Sequence, residues 1–587
     1  MMPLDEIRPG MKGVGHTVFT GSRIEEFQVE ILGVLRNVIG PKRGLVLARL
    51  SGGPLAQSGV IAGMSGSPVY IDGRLIGAVS YSLGSFSKEP IAGITPIAEM
   101  IELAALDTPR PPVKAARLEL PVTREGLSAA LRQSFSWLQP FAERSTDVQA
   151  VGVQDVSVIA PMLRPIATPL VMSGFHPEVG GLVTSAFREY GFEPAGTGGA
   201  AVVTARTETP QPLRPGDAVG VNLITGDLSL GGVGTVTHVD GDRVYAFGHP
   251  FYNIGPTQFP MTRAHIHTVL PSLFSSIKIA ETGDTIGTFQ QDRSTTIAGR
   301  LGGGPKLIPI DIALETARGV KKELSLKVVE DQLFTPLLTY VSILNSLTSY
   351  EREFGAATFT VKGQAMVKKH DTIAFEDIFS GDSPSIGAAT YIVGPIAFLL
   401  TNDFERVELE GLKLSIATSE QPKTATIERV WLDTVKPRAG RSATLKLLVR
   451  TYRGEGVTYT VPIDIPANVS GTLSIMVSDG SRLAQWEQRE VRQSLKPSGV
   501  ANMIRALNKS RKNNRLYIKL LSSDAGAVIN GELLSSLPPS VLSVLEGDRN
   551  GGNFVPLRSA TLGEWEVATD HAVSGVRFLT VNVDSSN

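Results

Sequence analysis

The stretch Gly59 to Ser80, GVIAGMSGSPVYIDGRLIGAVS, decides how this chain is read. Within it, Gly63-Met-Ser-Gly-Ser-Pro68 puts Ser65 in a glycine-rich tight turn, where the hydroxyl stands clear of the backbone and the N–H groups of Gly63 and Ser65 converge on one point. A serine nucleophile beside an oxyanion hole needs that arrangement. Val69–Ile71 and Leu75–Val79 are short β-prone runs, and Asp72-Gly73 between them is a strong hairpin signal. Ser-Gly-Ser-Pro is equally the composition of an ordinary surface turn, but the apolar residues on both sides argue for a turn packed on a core.

Outward from this stretch, residues 1–106 read as one β-rich unit. Phe27 to Leu35 and Gly44 to Leu50 are strand-like, and Thr95-Pro96 is expected to open a closing helix with Thr95 as N-cap. Asp107 to Pro112 is a stiff, proline-rich linker. Residues 115–212 turn to a mixed α/β pattern, helical over Gly126–Leu138 and Gly180–Tyr190 and strand-like over Ala200–Ala205, with His176 in a structural or solvated place. A second β-rich unit spans 213–420. At its centre two strands flank Asp240-Gly-Asp242, and the second delivers Gly248-His249-Pro250 at its end. A histidine on a strand terminus, with glycine leaving space beside it, suits a general base, although a single histidine can equally be packed or solvated.

Both segments resemble one family. GMSGSP followed by a hairpin resembles the nucleophile loop of chymotrypsin-like serine peptidases, and the longer run Gly59–Val79 is similar to the SpoIVB serine peptidase family of bacteria. AFGHPF, with the GTVT hairpin before it, resembles the histidine half of that family. The resemblance implies a two-half chymotrypsin-like β-barrel core in which Ser65 is the nucleophile, Ser67 is not, and His249 is the base. Met64 stands where trypsin-like enzymes carry an aspartate that pairs with a newly cut N-terminus, so activation by that ion pair is not available. In SpoIVB the histidine half comes first, whereas here Ser65 precedes His249. Triads are recognised by geometry and occur in several chain orders, so the reversal requires only that the two halves meet face to face.

The third member is the least marked. Where the family has an aspartate before its serine, this chain reads Ala48-Arg-Leu-Ser-Gly-Gly-Pro54. Asp292, in the histidine half, is the favoured acid, with Asp284 nearby; Asp292 could also pair with Arg293 or serve a turn, and a Ser-His dyad helped by backbone or water is the remaining option. His265 and His267 alternate on a strand and share a face, a two-ligand pattern with no third partner at metal-site spacing. His16 is a rival base in the serine half without family support. No metal and no cofactor is expected.

Beyond 330, Leu333–Leu347 reads as an amphipathic helix and Gly387–Leu400 as an apolar stretch of undecided type. Short, evenly spaced strands over 423–490 carry the signature of an immunoglobulin-like β-sandwich, and 495–587 reads as an accessory β-rich module that could bind a protein partner or pack on the sandwich. The fold class is thus mainly β with an α/β insertion. With 56 basic and 57 acidic side chains there is no field to favour nucleic acid. The absence of cysteine excludes thiol catalysis, disulfides and cysteine zinc sites. Apolar runs such as Tyr391–Leu400 are too short to span a bilayer. MMPLDEIRPG lacks the apolar core of a signal peptide. The protein is then cytoplasmic, or an export signal lies outside this chain; the family resemblance implies the second, an extracytoplasmic bacterial protein. The functional expectation is a serine endopeptidase acting on polypeptides. The alternatives are a peptidase-fold scaffold that binds peptides or partners without effective catalysis, and a hydrolase of small esters.

Overall fold

The computed structural model describes the chain except residues 39, 84–88, 107, 109, 111–119, 136–161, 198–211, 350–356, 382, 468, 470, 491–496, 523–526, 530–531, 535–538, 546–553, 557–558 and 585–587. The strand expected at Ala200–Ala205 lies outside the described residues. Two compact units are found: one comprises Met1–Val113, Phe135–Pro309 and Ser325–Asn345, the other Lys114–Ser134, Ile310–Leu324 and Ser346–Asn587. The chain is mainly β, as expected of a chymotrypsin-like core followed by further β modules.

In the first unit the strands are β1 Lys12–Val18, β2 Ile24–Arg36, β3 Gly44–Ser51, the two-residue β4 Ile61–Ala62, β5 Pro68–Ile71, β6 Arg74–Ser82 and β7 Ile91–Pro96. All but β4 close into an antiparallel barrel, β1-β2-β3-β7-β6-β5 and back to β1. Alternation along β2 sends Phe27, Val29 and Ile31 inward to meet Val46, Ala48, Leu50, Val69 and Ile94. Fully burying such side chains stabilises the barrel by about 1.5–3 kcal/mol each. At the β5–β6 hairpin Asp72 and Gly73 both adopt positive φ, 50° and 71°, the backbone that a two-residue turn demands.

Further along run β8 Arg164–Pro165, β9 Thr168–Ser173, β10 Phe192–Thr197, β11 Ala218–Gly226, β12 Ser229–Asp240, β13 Arg243–Ala246, β14 Gly255–Leu270, β15 Ser276–Arg293 and β16 Thr296–Leu301. A second closed antiparallel barrel forms from six of them, β11-β12-β13-β16-β15-β14 and back to β11. Counted along the chain and leaving out β4, both barrels have the order one-two-three-six-five-four. They are topological twins, one carrying the serine turn and the other the histidine.

Two local readings are corrected and one left open is resolved. Thr95 does not cap a helix: it is a strand residue of β7, and the helix starts at Ile97 with Pro96 at its N-cap. Strand pairing of Thr95 with Ala78 takes the backbone that the cap would have used. The helix Phe334–Thr348 is buried around nearly its whole circumference rather than amphipathic, with Phe334 packed 4.5 Å from Tyr252 and 5.7 Å from Phe259 between ring centroids. The undecided apolar stretch is a helix, Pro384–Leu400, with Pro395 inside it.

In the second unit two four-stranded sheets share one core, in which Leu445, Leu447 and Ile463 of one face Ile475, Ile518 and Leu520 of the other. Gly471–Ser478 pairs with Arg515–Ser522 and Val576–Val583, so residues 423–490 and 495–587 contribute strands to the same two sheets. Among the described residues no helix is long and apolar enough to cross a membrane.

Candidate active site

The serine turn lies between β4 and β5 and is tied down by its own backbone. Ser67 donates both its N–H (2.9 Å) and its hydroxyl (2.6 Å) to the Met64 carbonyl, and the Gly66 N–H donates to Val79 at 2.8 Å. Ser67 is thereby spent on closing the turn, whereas Ser65 Oγ is fully buried and has no hydrogen-bond partner among the described residues.

The second barrel grips this turn through strand β12. The Thr235 N–H donates to the Ser65 carbonyl (2.9 Å), the Thr235 hydroxyl to Gly63 (3.1 Å) and the Thr237 hydroxyl to Gly66 (2.7 Å). Gly66, at φ +97°, has no room for a side chain: a Cβ there would sit 1.9 Å from the Thr235 carbonyl oxygen and 2.6 Å from the Phe247 nitrogen. Just past β13, Gly248 is equally constrained, with Ala78 and Ser80 each 2.9 Å from where its Cβ would be. The Thr95 hydroxyl donates to the Gly248 carbonyl (2.8 Å) and shares a 2.6 Å hydrogen bond with Ser80. Ser65 and His249 thus sit on loops of different barrels that are packed and hydrogen-bonded together. Thr95, Thr235 and Thr237 carry this junction; in the sequence Thr95 reads as a helix cap, and Thr235 and Thr237 are ordinary strand threonines with no signal of their own.

His249 is 3% exposed. Its Nδ1 lies 2.7 Å from the Pro250 carbonyl, which can only accept, so the ring proton resides on Nδ1 and Nε2 carries the bare lone pair. Nε2 is buried and has no partner among the described residues, and it makes no bond to Ser65 Oγ. Burial pushes the imidazole down to about 4, against a smaller upward effect of the Pro250 carbonyl. The ring is neutral at physiological pH.

Asp292 is fully buried at the end of β15, but its oxygens face backbone. It accepts the N–H of Phe251 (2.8 Å) on one oxygen and those of Tyr252 (2.7 Å) and Ile254 (3.4 Å) on the other. It therefore holds the turn that follows His249 instead of the ring. Burial raises the carboxyl to about 6, offset in part by the backbone donors.

The Gly63 N–H donates to the Ala167 carbonyl at 3.2 Å. A residue the sequence did not single out lies close by. Lys278 is buried with Nζ 2.9 Å from the Thr17 hydroxyl, its stem runs beside Gly63, and burial lowers it to about 7.

The other candidates lie elsewhere. His16 pairs with Glu26 (3.4 Å) on the surface of the first barrel and packs on Tyr70. The His265 and His267 rings are 5.2 Å apart, with His267 paired to Glu281 at 3.5 Å; among the described residues no three potential metal ligands come together. Asp284 lies in the middle of β15.

Residues 4–100 match the SpoIVB peptidase S55 family. The matched region is the first barrel with its serine turn, and it marks this part of the chain as SpoIVB-type, a serine peptidase family. The histidine loop of the second barrel lies outside the match. No curated protein and no solved structure matches the chain.

Proposed function

We propose that the protein is a serine endopeptidase of SpoIVB type, with Ser65 as nucleophile and His249 as general base. The observation that carries this reading is that Ser65 Oγ and His249 Nε2 are both buried and have no partner among the described residues, on loops bonded together across two barrels. Buried polar atoms are almost always satisfied, and exceptions call for a functional account. Ser65 Oγ would attack the scissile carbonyl, Nε2 would take its proton and return it to the leaving amine, and the Gly63 and Ser65 amides would hold the oxyanion. The Pro250 carbonyl fixes the tautomer, a task an aspartate performs in a full triad, so Asp292 is read as a positioning residue. Substrates are polypeptides, and an extracytoplasmic site of action follows from the family likeness.

The complete burial of Ser65 favours a second reading, a peptidase-fold scaffold without turnover. Prolonged exposure to a fluorophosphonate probe separates the two. Covalent labelling of the wild type that is lost in Ser65→Ala and in His249→Ala is the expected result. A folded wild type that is labelled no more than Ser65→Ala would overturn the peptidase reading.

A further inference from the structure

β5 covers β6 only as far as Ala78. Past that point β6 continues through Ser80, Tyr81 and Ser82 directly beside the serine turn, since Val79 bonds to both Gly66 and Ser67. The edge so vacated is where an extended peptide could add as a strand and reach Ser65. It is already filled. β8 lies antiparallel on it, Arg164 opposite Ser82 and Pro165 opposite Tyr81, and the Ile166 N–H donates to the Ser80 carbonyl at 2.9 Å. One residue on, the Ala167 carbonyl takes the Gly63 N–H. Ile166 is 3% exposed and joins the apolar core of the first barrel, while Arg164 and Pro165 stay exposed. From Thr168 the chain leaves as β9 along β12.

We propose that Arg164–Ala167 is the chain's own peptide seated in the peptide-binding edge of the active site. Two consequences follow, both resting on the peptidase reading above. Substrates are extended strands that pair antiparallel with Ser80–Ser82, placing a branched apolar side chain where Ile166 lies and a small residue after it. Proline is tolerated before the apolar residue, because the Ile166 N–H, not that of the preceding residue, reaches Ser80. The chain is thus in a self-occupied state: the strap fills the edge beside the serine turn and takes one of the two proposed oxyanion donors, so a substrate has to displace it.

The test uses the full-length protein and the rate of fluorophosphonate labelling. Ile166→Asp puts a charge into an apolar site and should free the strap, raising the rate at least about tenfold; Ile166→Ala, which keeps the site apolar, should raise it about threefold. The free peptide Leu-Arg-Pro-Ile-Ala-Thr, the sequence of residues 163–168, should slow labelling of the Ile166→Asp variant back towards the wild-type rate, and its scrambled form should not. If Ile166→Asp fails to fold, Ile166→Ala decides. Folded variants that label at the wild-type rate, while Ser65→Ala stays unlabelled, would overturn the strap and leave the peptidase reading standing. Acceleration that the peptide does not reverse would overturn the substrate-like mode. No labelling of any variant would sink the peptidase reading, and the strap with it.

Discussion

Gly66→Ala tests whether the serine turn and the second barrel form one structure. The new methyl would stand 1.9 Å from the Thr235 carbonyl oxygen, backbone that cannot swing aside, at a φ of +97° that costs an L-residue about 1–2 kcal/mol. Relieving the clash means lifting the turn off β12. That movement breaks the bonds from Thr235 to Ser65 and from Thr237 to Gly66, each with a net worth of about 0.5–1.5 kcal/mol. Together these give a loss of about 2–5 kcal/mol. Gly73→Ala is the control: its φ is also positive, +71°, but nothing among the described residues lies within 4 Å of the added methyl, so only the backbone cost of about 1–2 kcal/mol applies. Urea denaturation of both variants, read by far-ultraviolet circular dichroism, gives the comparison. A Gly66→Ala variant no less stable than Gly73→Ala would refute the docking of the serine turn on β12 as the source of order at the site.

Other expectations concern the buried ionisable groups. The labelling rate should persist down to about pH 4, since His249 must be neutral to act and burial holds it there; half-maximal rate near the ordinary histidine value of about 6.5 would contradict that. In stability the histidine works in the opposite sense from Asp292. His249 titrates below its unfolded value, so folding loses stability as pH falls from about 6.5 to 4, whereas Asp292 titrates above its own and folding gains stability as pH falls from about 6 to 4. Calorimetry of His249→Ala against wild type should show the difference moving by about 3 kcal/mol in the variant's favour across that window. Asp292→Ala should cost on the order of 3 kcal/mol in chemical denaturation by stranding three backbone donors, whereas Asp292→Asn should slow labelling by no more than about tenfold; a loss near 10⁴ would mean that the carboxylate serves the ring directly. Lys278 is lowered to about 7, so wild-type stability should climb between pH 7 and 10 by on the order of 3 kcal/mol, a rise that Lys278→Met should lack when both are titrated with urea.

Much of this architecture is written locally. Asp72-Gly73 announces its hairpin because only such residues sit easily at two successive positive φ values, and Phe27, Val29 and Ile31 announce β2 by alternation. Ser65 and His249 stood out through their glycine-flanked turns. What the sequence did not carry was the partnership between elements. Thr95 has the composition of a helix cap but lies in β7, and its hydroxyl reaches Gly248 across the barrel junction. Asp292 reads in the sequence as a partner for the ring, yet a carboxylate's oxygens go to whichever donors are close, and these are the amides of Phe251, Tyr252 and Ile254. Lys278 gave no sign because a lysine is ordinarily solvated, and its burial arises only in the fold, where its stem lies beside Gly63 and its Nζ meets the Thr17 hydroxyl.

The division of the proposed dyad between twin barrels has a bearing on how the protein is made. The strands of the first barrel are complete by Pro96, so it can close on the ribosome while β12 and His249 are still untranslated. The second barrel closes only when β16 has emerged, at Leu301. Through that interval the proposed nucleophile lacks both the strand β12 that orders its turn and a settled partner loop for the proposed base, so on the peptidase reading the order of synthesis would keep the growing polypeptide from cutting itself or its neighbours.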